Sequence, residues 1–295
     1  MTDALPVATP TVTVRHRTLY GYDQPVVLGP HTIRLHPAPT IRTRLVAYAI
    51  ALEPSPLTLH WSYDPLANRV ARASFEAATE RLEIGVTATI ELTPYNPFDF
   101  VMDADAASWP FRYPASLVRE LAPYSQAPPV IPWMATTFAG MDLGAQSSVG
   151  LLVALNQRVH GLIRYVTRIE PGVQDPAVTI ETASGSCRDV AWLMVLAARA
   201  LGFAARFVSG YLVQLVDAAA PIPGLVDDRA DLHAWAEVFL PGAGWIGFDA
   251  TSGLIAGAGH IALAAAGHPE SAAPVDGTSS AATATLETEM SVIRH

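Results

Sequence analysis

The sequence contains very little sulfur, few charges and no long hydrophobic run. Cys187 is the single cysteine among 295 residues, so the chain can form neither an internal disulfide nor a cysteine-rich zinc site. Charged residues make up 15% of the chain and the net charge is −9, which argues against nucleic acid or an anionic membrane as the main partner. No apolar run reaches the roughly 18 residues that a membrane helix needs, and the first residues show no secretory signal. We therefore expect a cytoplasmic protein with no membrane or nucleic-acid partner.

Apolar residues, in contrast, are plentiful at 51% of the chain, enough to build a large core. Residues 1–100 contain short stretches of alternating apolar and polar residues, separated by turn residues, such as TVTVRHRTLYGY and ERLEIGVTATIEL. This pattern is typical of an antiparallel β-sandwich. Residues 101–144 are rich in proline and aromatics. They predict an irregular connector that packs against a flanking domain.

The period of the pattern becomes helical after residue 145. Apolar residues recur there at three- and four-residue steps, and Ser147 or Ser148 can cap the helix. A second helix is predicted from Ser186 to Leu201, with Gly202 as its stop. Three strands follow, which together predict an α+β core over residues 145–260. In the remaining region, 261–295, we interpret the Ala-rich stretch 262–285 as a spacer and LETEMSVIR as a final strand.

Cys187 lies where a polar loop meets the second helix, in the sequence ETASGSCRDVAW. Ser186 and Asp189 have the S-x-x-D spacing of a capping box, which makes Cys187 the first helical residue. Free N–H groups and the helix dipole favour a thiolate there and can stabilise an oxyanion, whereas the charge of Asp189 opposes a thiolate. A lone cysteine is usually a buried hydrophobic residue. The polar flanks of this one favour a reactive thiol.

A reactive thiol needs a base, and the base needs a group that orients it. Of nine histidines, His233 begins the apolar strand HAWAEVFL, and Asp249 lies on the next strand. If Phe239 pairs with Trp245, Asp249 lies opposite residue 235, and His233 is its diagonal neighbour at roughly 7–8 Å between backbones. Alone, His233 is equally well explained as an ordinary histidine at a strand edge. The three residue types together predict a catalytic site.

Two segments strongly resemble the core of the bacterial transglutaminase-like superfamily: GSCRDVAWLMVLAARALGFAARFVSGYL and DLHAWAEVFLPGAGWIGFDATSG. That family places its catalytic Cys in a G-x-C-x-D setting, its His in an H-A-W motif and its Asp at the end of a W-x-x-F-D segment. The matching positions are Cys187, His233 and Asp249. The N-terminal strands look like the β-sandwich that precedes this core in many bacterial members. The fold implied is α+β: a sandwich, then a papain/transglutaminase-like core, with the C-terminal strand returning to the sandwich.

The sequence departs from the family pattern in two places, and some similar proteins are longer. Ala250 stands where proline is common, a mild change of backbone, and the segment before Cys187 looks shorter than usual. Some similar proteins continue into a C-terminal module. Since this chain ends at His295, such a module would be a separate partner.

The resemblance implies a cysteine-dependent acyl-transfer enzyme that acts on peptide or amide bonds through a thioester. Cys187 would attack the carbonyl, His233 would accept and return the proton, and Asp249 would hold the imidazole. The substrate is then a peptide or protein, and neither a cofactor nor a metal is expected. Because no calcium-binding loop of EF-hand type is visible, we prefer hydrolysis, as by a peptidase or amidase, to cross-linking by a protein-glutamine transglutaminase.

Two other functions stay open. The core could be a catalytically silent peptide-binding module, and the sandwich could be an interaction domain. Other side chains also have two interpretations each. Trp192, Trp235 and Tyr211 are candidates for lining the cleft or for ordinary packing. His31 and His36 lack a nearby carboxylate or cysteine, so we predict surface histidines rather than metal ligands.

Overall fold

The computed structural model describes residues 9–40, 43–127, 132–168, 170–217, 221–222 and 224–295. The first part of the chain consists of antiparallel strands, as its alternation predicts. The strands are β1 (Thr11–Val26), β2 (His31–Ile33), β3 (Thr43–Glu53), β4 (Thr58–Tyr63), β5 (Arg69–Ser74) and β6 (Thr79–Leu92). From Leu82 to Leu92 every second residue of β6 is buried, so this strand presents one face to the core.

The middle of the chain carries the helices and the strands of a second sheet. The elements are β7 (Ser108–Trp109), α1 (Ala115–Leu121), α2 (Pro132–Phe138), β8 (Gln146–Ser147), α3 (Ser148–Leu162), β9 (Arg164–Tyr165), α4 (Pro176–Thr182), β10 (Ser184–Gly185), α5 (Cys187–Ala200), β11 (Ala205–Gln214), β12 (Arg229–Leu240), β13 (Gly244–Asp249), β14 (Leu254–Ile255) and β15 (His260–Ala266). The last two strands are β16 (Val275–Asp276) and β17 (Ala284–Arg294).

The strands form three main sheets. Two of them make the sandwich, with strand orders β17-β1-β6-β3 and β16-β2-β5-β4. The third, the core sheet, has the order β14-β13-β12-β11-β15. The pairing of β17 with β1 confirms that the C-terminal strand returns to the sandwich. The α+β fold class expected from the sequence is confirmed as well.

Helix α5 is the central helix of the core. Its apolar face, including Val190, Leu193 and Met194, is buried against α3 and the core sheet. The helix ends where predicted, because Gly202 adopts a φ of 87° that other residues rarely take. The loop-to-helix boundary therefore places Cys187 at the rim of the core sheet, at the first position of a rigid element.

Three expectations about local structure were wrong. The stretch 101–144 contains two short helices, α1 and α2, rather than only irregular chain. The first part of the Ala-rich stretch 262–285 is not a spacer, since β15 pairs with β11 in the core sheet and none of its residues is exposed. His31 and His36 are buried rather than on the surface, and each Nδ1 bonds to a backbone carbonyl.

The sandwich and the core sheet pack on one another through a shared apolar cluster. Tyr211, Val213 and Ile261 of the core sheet join the buried residues of the sandwich in this cluster. Within it, His16 Nδ1 lies 3.0 Å from the hydroxyl of Tyr211. Among the residues that the structure describes, no helix is long and apolar enough to cross a membrane.

Candidate active site

Cys187 begins helix α5, with Ser186 as the N-cap residue. The predicted capping box forms, and the carboxylate of Asp189 accepts the backbone N–H of Ser186 at 2.7 Å. Ser186 and Asp189 are buried, whereas Cys187 is partly exposed. The sulfur is therefore held at the start of a helix and remains open to a substrate.

The charge of Asp189 is matched by an arginine. Arg168 Nη1 donates to both carboxylate oxygens, at 2.7 and 2.9 Å, and the backbone N–H of Gln174 donates to one of them at 2.6 Å. Burial raises the pKa of Asp189, but the hydrogen bonds from Gln174, Ser186 and Arg168 outweigh burial and hold it below its usual value. Because Arg168 neutralises this carboxylate, Asp189 opposes a thiolate less than the sequence suggested.

His233 and Asp249 meet on neighbouring strands in the expected register. Phe239 pairs with Trp245, which confirms the assumed alignment of β12 and β13. His233 Nε2 lies 3.1 Å from Asp249 Oδ2, although its N–H points off the line to that oxygen. Such hydrogen bonds are often poorly aligned before substrate binds and tighten afterwards.

The thiol reaches the other side of the same imidazole. Burial alone would lower the pKa of His233, but its contacts with Asp249 and with the sulfur of Cys187 raise it to about 10. Since Nε2 faces Asp249, Nδ1 is the nitrogen available to the sulfur. The structure thus brings together all three residues that the sequence predicted. At neutral pH the imidazole is protonated, and it can balance a negative sulfur.

Asp249 sits at the centre of a hydrogen-bond cluster. Its Oδ1 accepts the N–H of Thr251 at 2.9 Å, and its Oδ2 accepts the hydroxyl of Ser252 at 2.9 Å and faces His260 Nε2 at 3.4 Å. Burial raises the pKa of this carboxyl, but His233 and His260 outweigh burial and lower the pKa far below its usual range. Asp249 therefore stays ionised although it is almost fully buried.

Sequence reasoning missed two members of this site, Arg168 and His260. No local signal marks Arg168, because it lies 21 residues before Asp189 in an irregular stretch. His260 lies two residues before the stretch 262–285 that was interpreted as a spacer. A strand signal is present in the sequence, since His260 follows the turn residues GAG and begins a short apolar run.

Other candidate residues divide between the site and the core. Trp235 is buried and its ring lies 6.4 Å from that of His233 in a stacked orientation, so it forms the wall behind the imidazole. Trp192 instead contacts His268 and the guanidinium of Arg199. Tyr211 is fully buried against the sandwich, so the packing interpretation holds for it.

The rim of the site is formed by side chains on two elements. Tyr165 pairs with Gly185, two residues before the thiol, and its side chain is 53% exposed. Partial burial, and then the nearby Cys187 sulfur, raise the pKa of this tyrosine. Arg229 and Asp231 precede His233 on the same face of β12 and are exposed. One aromatic ring and one pair of opposite charges therefore lie near the sulfur.

Three groups of this site lie close enough to hold a metal ion. One ligand atom each from His233, Asp249 and His260 falls within 4.8 Å of the others. The hydrogen bonds of His260 do not fit such a site. Its Nδ1 accepts the N–H of Gly257 at 3.1 Å, which leaves the ring proton on Nε2, the nitrogen that faces Asp249. A nitrogen that carries a proton donates a hydrogen bond and has no lone pair for a metal.

Several known proteins are similar to this chain in sequence or in fold. The family model of the bacterial transglutaminase-like N-terminal region matches residues 12–91, and that of the transglutaminase-like superfamily matches residues 136–250. Two uncharacterized proteins, Rv2569c of Mycobacterium tuberculosis and Mb2599c of Mycobacterium bovis, are each 29% identical over 254 residues, which are 81% of this chain and 78% of each relative. The crystal structure of a putative cysteine protease from Cytophaga hutchinsonii has a TM-score of 0.68 at 17% identity, and covers 97% of this chain and 92% of that one.

The match to the transglutaminase-like superfamily supports a cysteine-dependent enzyme as the general class of the protein. The two family models lie one after the other and cover roughly two thirds of the sequence. The chain belongs to the transglutaminase-like superfamily and carries the N-terminal region of its bacterial members, as the sequence motifs predicted.

Proposed function

We propose that the protein is an acyl-transfer enzyme that cleaves peptide or amide bonds through a thioester on Cys187. One observation carries the proposal: the only thiol of the chain is partly exposed at a helix start and touches an imidazole whose other nitrogen faces a buried carboxylate. A packing role would require none of these contacts. The arrangement matches a nucleophile, a proton carrier and an orienting group.

The first half-reaction forms the thioester. The sulfur attacks the carbonyl carbon, and the oxyanion that forms can accept N–H groups from the first turn of α5. The proton on His233 passes to the nitrogen of the leaving amine, so that the carbon–nitrogen bond breaks. Asp249 keeps the ring in place through Nε2 and stabilises its charged form.

The second half-reaction releases the acyl group. Water or an amine attacks the thioester, His233 accepts a proton from the attacking group, and the sulfur leaves with its electron pair. Hydrolysis is our preferred outcome. The rim favours attack by water, since Tyr165, Arg229 and Asp231 are all exposed to solvent. Transfer to an amine, as in a protein-glutamine transglutaminase, is the alternative.

Labelling of the thiol tests the nucleophile directly. Because Cys187 is the only cysteine, every alkylated molecule reports on this site. We expect iodoacetamide to alkylate the protein at pH 7 at least ten times faster than N-acetylcysteine, with the Cys187→Ala protein as blank. A rate equal to that of the free thiol would favour the silent peptide-binding module.

Mass spectrometry of the acylated enzyme then separates the two reactions. The protein is mixed with a library of peptide amides and glutamine-containing peptides, with and without a biotinylated primary amine. Hydrolysis predicts free acids in both mixtures, and transfer predicts a biotinylated peptide only in the second. Turnover that survives in Cys187→Ala would contradict both.

A further inference from the structure

We propose that His260 is a positioning residue, which holds the Asp249 carboxylate against His233 through a hydrogen bond from its own Nε2–H. The inference rests on the proposed function, because it assigns a role in orienting the base of that reaction. Neither the motifs around Cys187, His233 and Asp249 nor the matched core segment, residues 136–250, includes this residue.

The topology of the core sheet brings His260 to the site. His260 is the first residue of β15, which is separated from β12 by the strand β11. On β11, Gly210 pairs with both His233 and Ala262, so side chains at 233, 260 and 262 point to the same face of the sheet. Gly210 has no side chain to fill the space between them. The two histidines therefore approach across a whole strand, and their ring centroids are 5.9 Å apart.

The hydrogen bonds of His260 assign its tautomer. Nδ1 accepts the backbone N–H of Gly257, so in the neutral ring the proton lies on Nε2. That nitrogen is 3.4 Å from Asp249 Oδ2, and the side chain of His260 is 12% exposed. The backbone of the 257–260 turn thus fixes a donor toward the carboxylate, and water has little access to replace it.

Packing fixes the plane of the ring as well. Trp235 meets His260 edge to face, with centroids 5.2 Å apart at 85°. The same tryptophan stacks on His233. One buried indole therefore sets the spacing of both imidazoles that share the Asp249 carboxylate. A ring held at both nitrogens and on one face has little freedom to turn away.

The contacts of Asp249 show what His260 contributes. Oδ1 accepts the N–H of Thr251. Oδ2 accepts the hydroxyl of Ser252 and faces Nε2 of both His260 and His233. Ser252 and Thr251 come from the turn just after Asp249, so apart from His233 itself, His260 is the contact that reaches this carboxylate from another strand. Loss of this bond leaves the carboxylate tethered by its own turn, free to rotate away from His233. We expect the reaction rate to fall while substrate affinity stays, because His260 acts through Asp249.

The test compares His260→Gln, which keeps an N–H donor at a similar reach, with His260→Phe, which keeps a ring but has no donor. His60→Gln is the matched control, since His60 is exposed on β4 in the sandwich. The readouts are the alkylation rate of Cys187 by iodoacetamide at pH 7 and, once a substrate is found, kcat and KM. We expect His260→Phe to lower the alkylation rate and kcat about 10-fold or more with KM within about 2-fold, and His260→Gln to restore most of the rate.

Two outcomes of the rate measurements would overturn the proposal. Either a folded His260→Phe protein reacts like the wild type, or His260→Gln is as slow as His260→Phe, which would make the role one of packing. If His260→Phe fails to fold, ¹⁵N spectra of histidine-labelled wild type decide instead. A proton on Nε2 of His260 supports the proposal, and a proton on Nδ1 contradicts it.

The same experiments distinguish this proposal from a metal site and from failure of the proposed function. Protection of the thiol by added Zn²⁺ in the wild type, lost in His260→Gln, would show a metal site and overturn the hydrogen bond. A wild-type thiol no faster than N-acetylcysteine would defeat the proposed function. The ¹⁵N spectrum of His260 would then still report whether its proton faces Asp249.

Discussion

Asp249 and His233 set each other's charge. The pKa of Asp249 is lowered and that of His233 is raised to about 10, and the main stabilising contact of each is the other. An ordinary histidine has a pKa near 6.5 in the unfolded chain. The interaction of His233 therefore stabilises the folded protein fully below about pH 6.5, and that stability is lost as the pH rises through about 10. The pair behaves as a permanent ion pair at neutral pH.

Asp249→Asn should remove most of this pH dependence. The comparison is made in Cys187→Ala proteins, so that the thiol does not titrate. We expect the free energy of unfolding to fall between pH 6.5 and pH 10 in Cys187→Ala, and to change much less in Cys187→Ala/Asp249→Asn, as followed by urea denaturation. Cys187→Ala/Asp276→Asn, which changes an exposed carboxylate in β16, is the control and should keep the slope of Cys187→Ala. Equal slopes in all three proteins would show that Asp249 does not charge His233.

The same substitution in the active protein should be costly for turnover. Asparagine can keep the shape of the contact but supplies no charge to hold the imidazolium. We expect a loss of about 10²-fold or more in kcat with Cys187 still present. If Asp249→Asn keeps the full kcat, Asp249 has no role in the mechanism, whatever the stability of the variant.

Gly210 matters for the packing of the core sheet as well as for the site. A Cβ on this residue would lie 2.5 Å from the nearest atom of the Trp235 ring and would also overlap the carbonyl oxygen of Ile261. Both neighbours are rigid, since one is backbone and the other a buried ring. The core sheet can therefore keep β11, β12 and β15 together only with glycine at this position.

Gly210→Ala should destabilise the protein by about 1–3 kcal/mol or more, because overpacking a core forces strands or rings apart. Gly161→Ala is the matched control. Gly161 is exposed in the last turn of α3 with no atom within 4 Å of the added Cβ, so this change should be neutral or stabilising by up to about 1 kcal/mol. Urea denaturation measures both. A Gly210→Ala protein as stable as the wild type would mean that Trp235 can move.

Local patterns predicted the elements that carry the site. The capping box at Ser186, the stop at Gly202 and the pairing of β12 with β13 each depend on residues a few positions apart, and each is confirmed. The two sheets of the sandwich follow from alternation alone. The same local logic proposed Cys187, His233 and Asp249, and the structure brings these three residues together.

Contacts across several strands could not be predicted in this way. His260 reaches Asp249 only because β15 joins the far edge of the sheet beside β11, and the alanines that follow His260 looked like low-complexity chain. Arg168 reaches Asp189 from an irregular stretch. The alanines after His260 were misleading, because an Ala-rich segment is compatible both with a spacer and with a tightly packed strand.

A buried polar contact joins the sandwich to the core sheet. His16 of β1 is buried and bonds to Tyr211 of β11 and to Thr18. Burial lowers the pKa of His16 to about 4. Because the unfolded chain binds a proton near pH 6.5 and the folded chain does not, stability is complete above about pH 6.5 and is lost as the pH falls toward 4.

His16→Gln should make the protein less sensitive to acid. Glutamine can still bond to Tyr211 but does not titrate. Between pH 7 and pH 5 we expect the wild type to lose about 2 kcal/mol more than His16→Gln in urea denaturation. His60→Gln, at an exposed site, should behave like the wild type. An identical acid response of all three proteins would mean that His16 is not buried in solution.

The order of the strands has a consequence for synthesis on the ribosome. Strand β1 lies between β6 and β17, and β17 is made roughly 190 residues after β6 ends. At 5–20 residues per second, the emerging β1 waits about 10–40 s with one row of backbone groups unsatisfied. An open edge of this kind invites pairing with another nascent chain. Slow translation or a missing last strand should therefore show first as aggregation of newly made protein, before any loss of chemistry at the thiol.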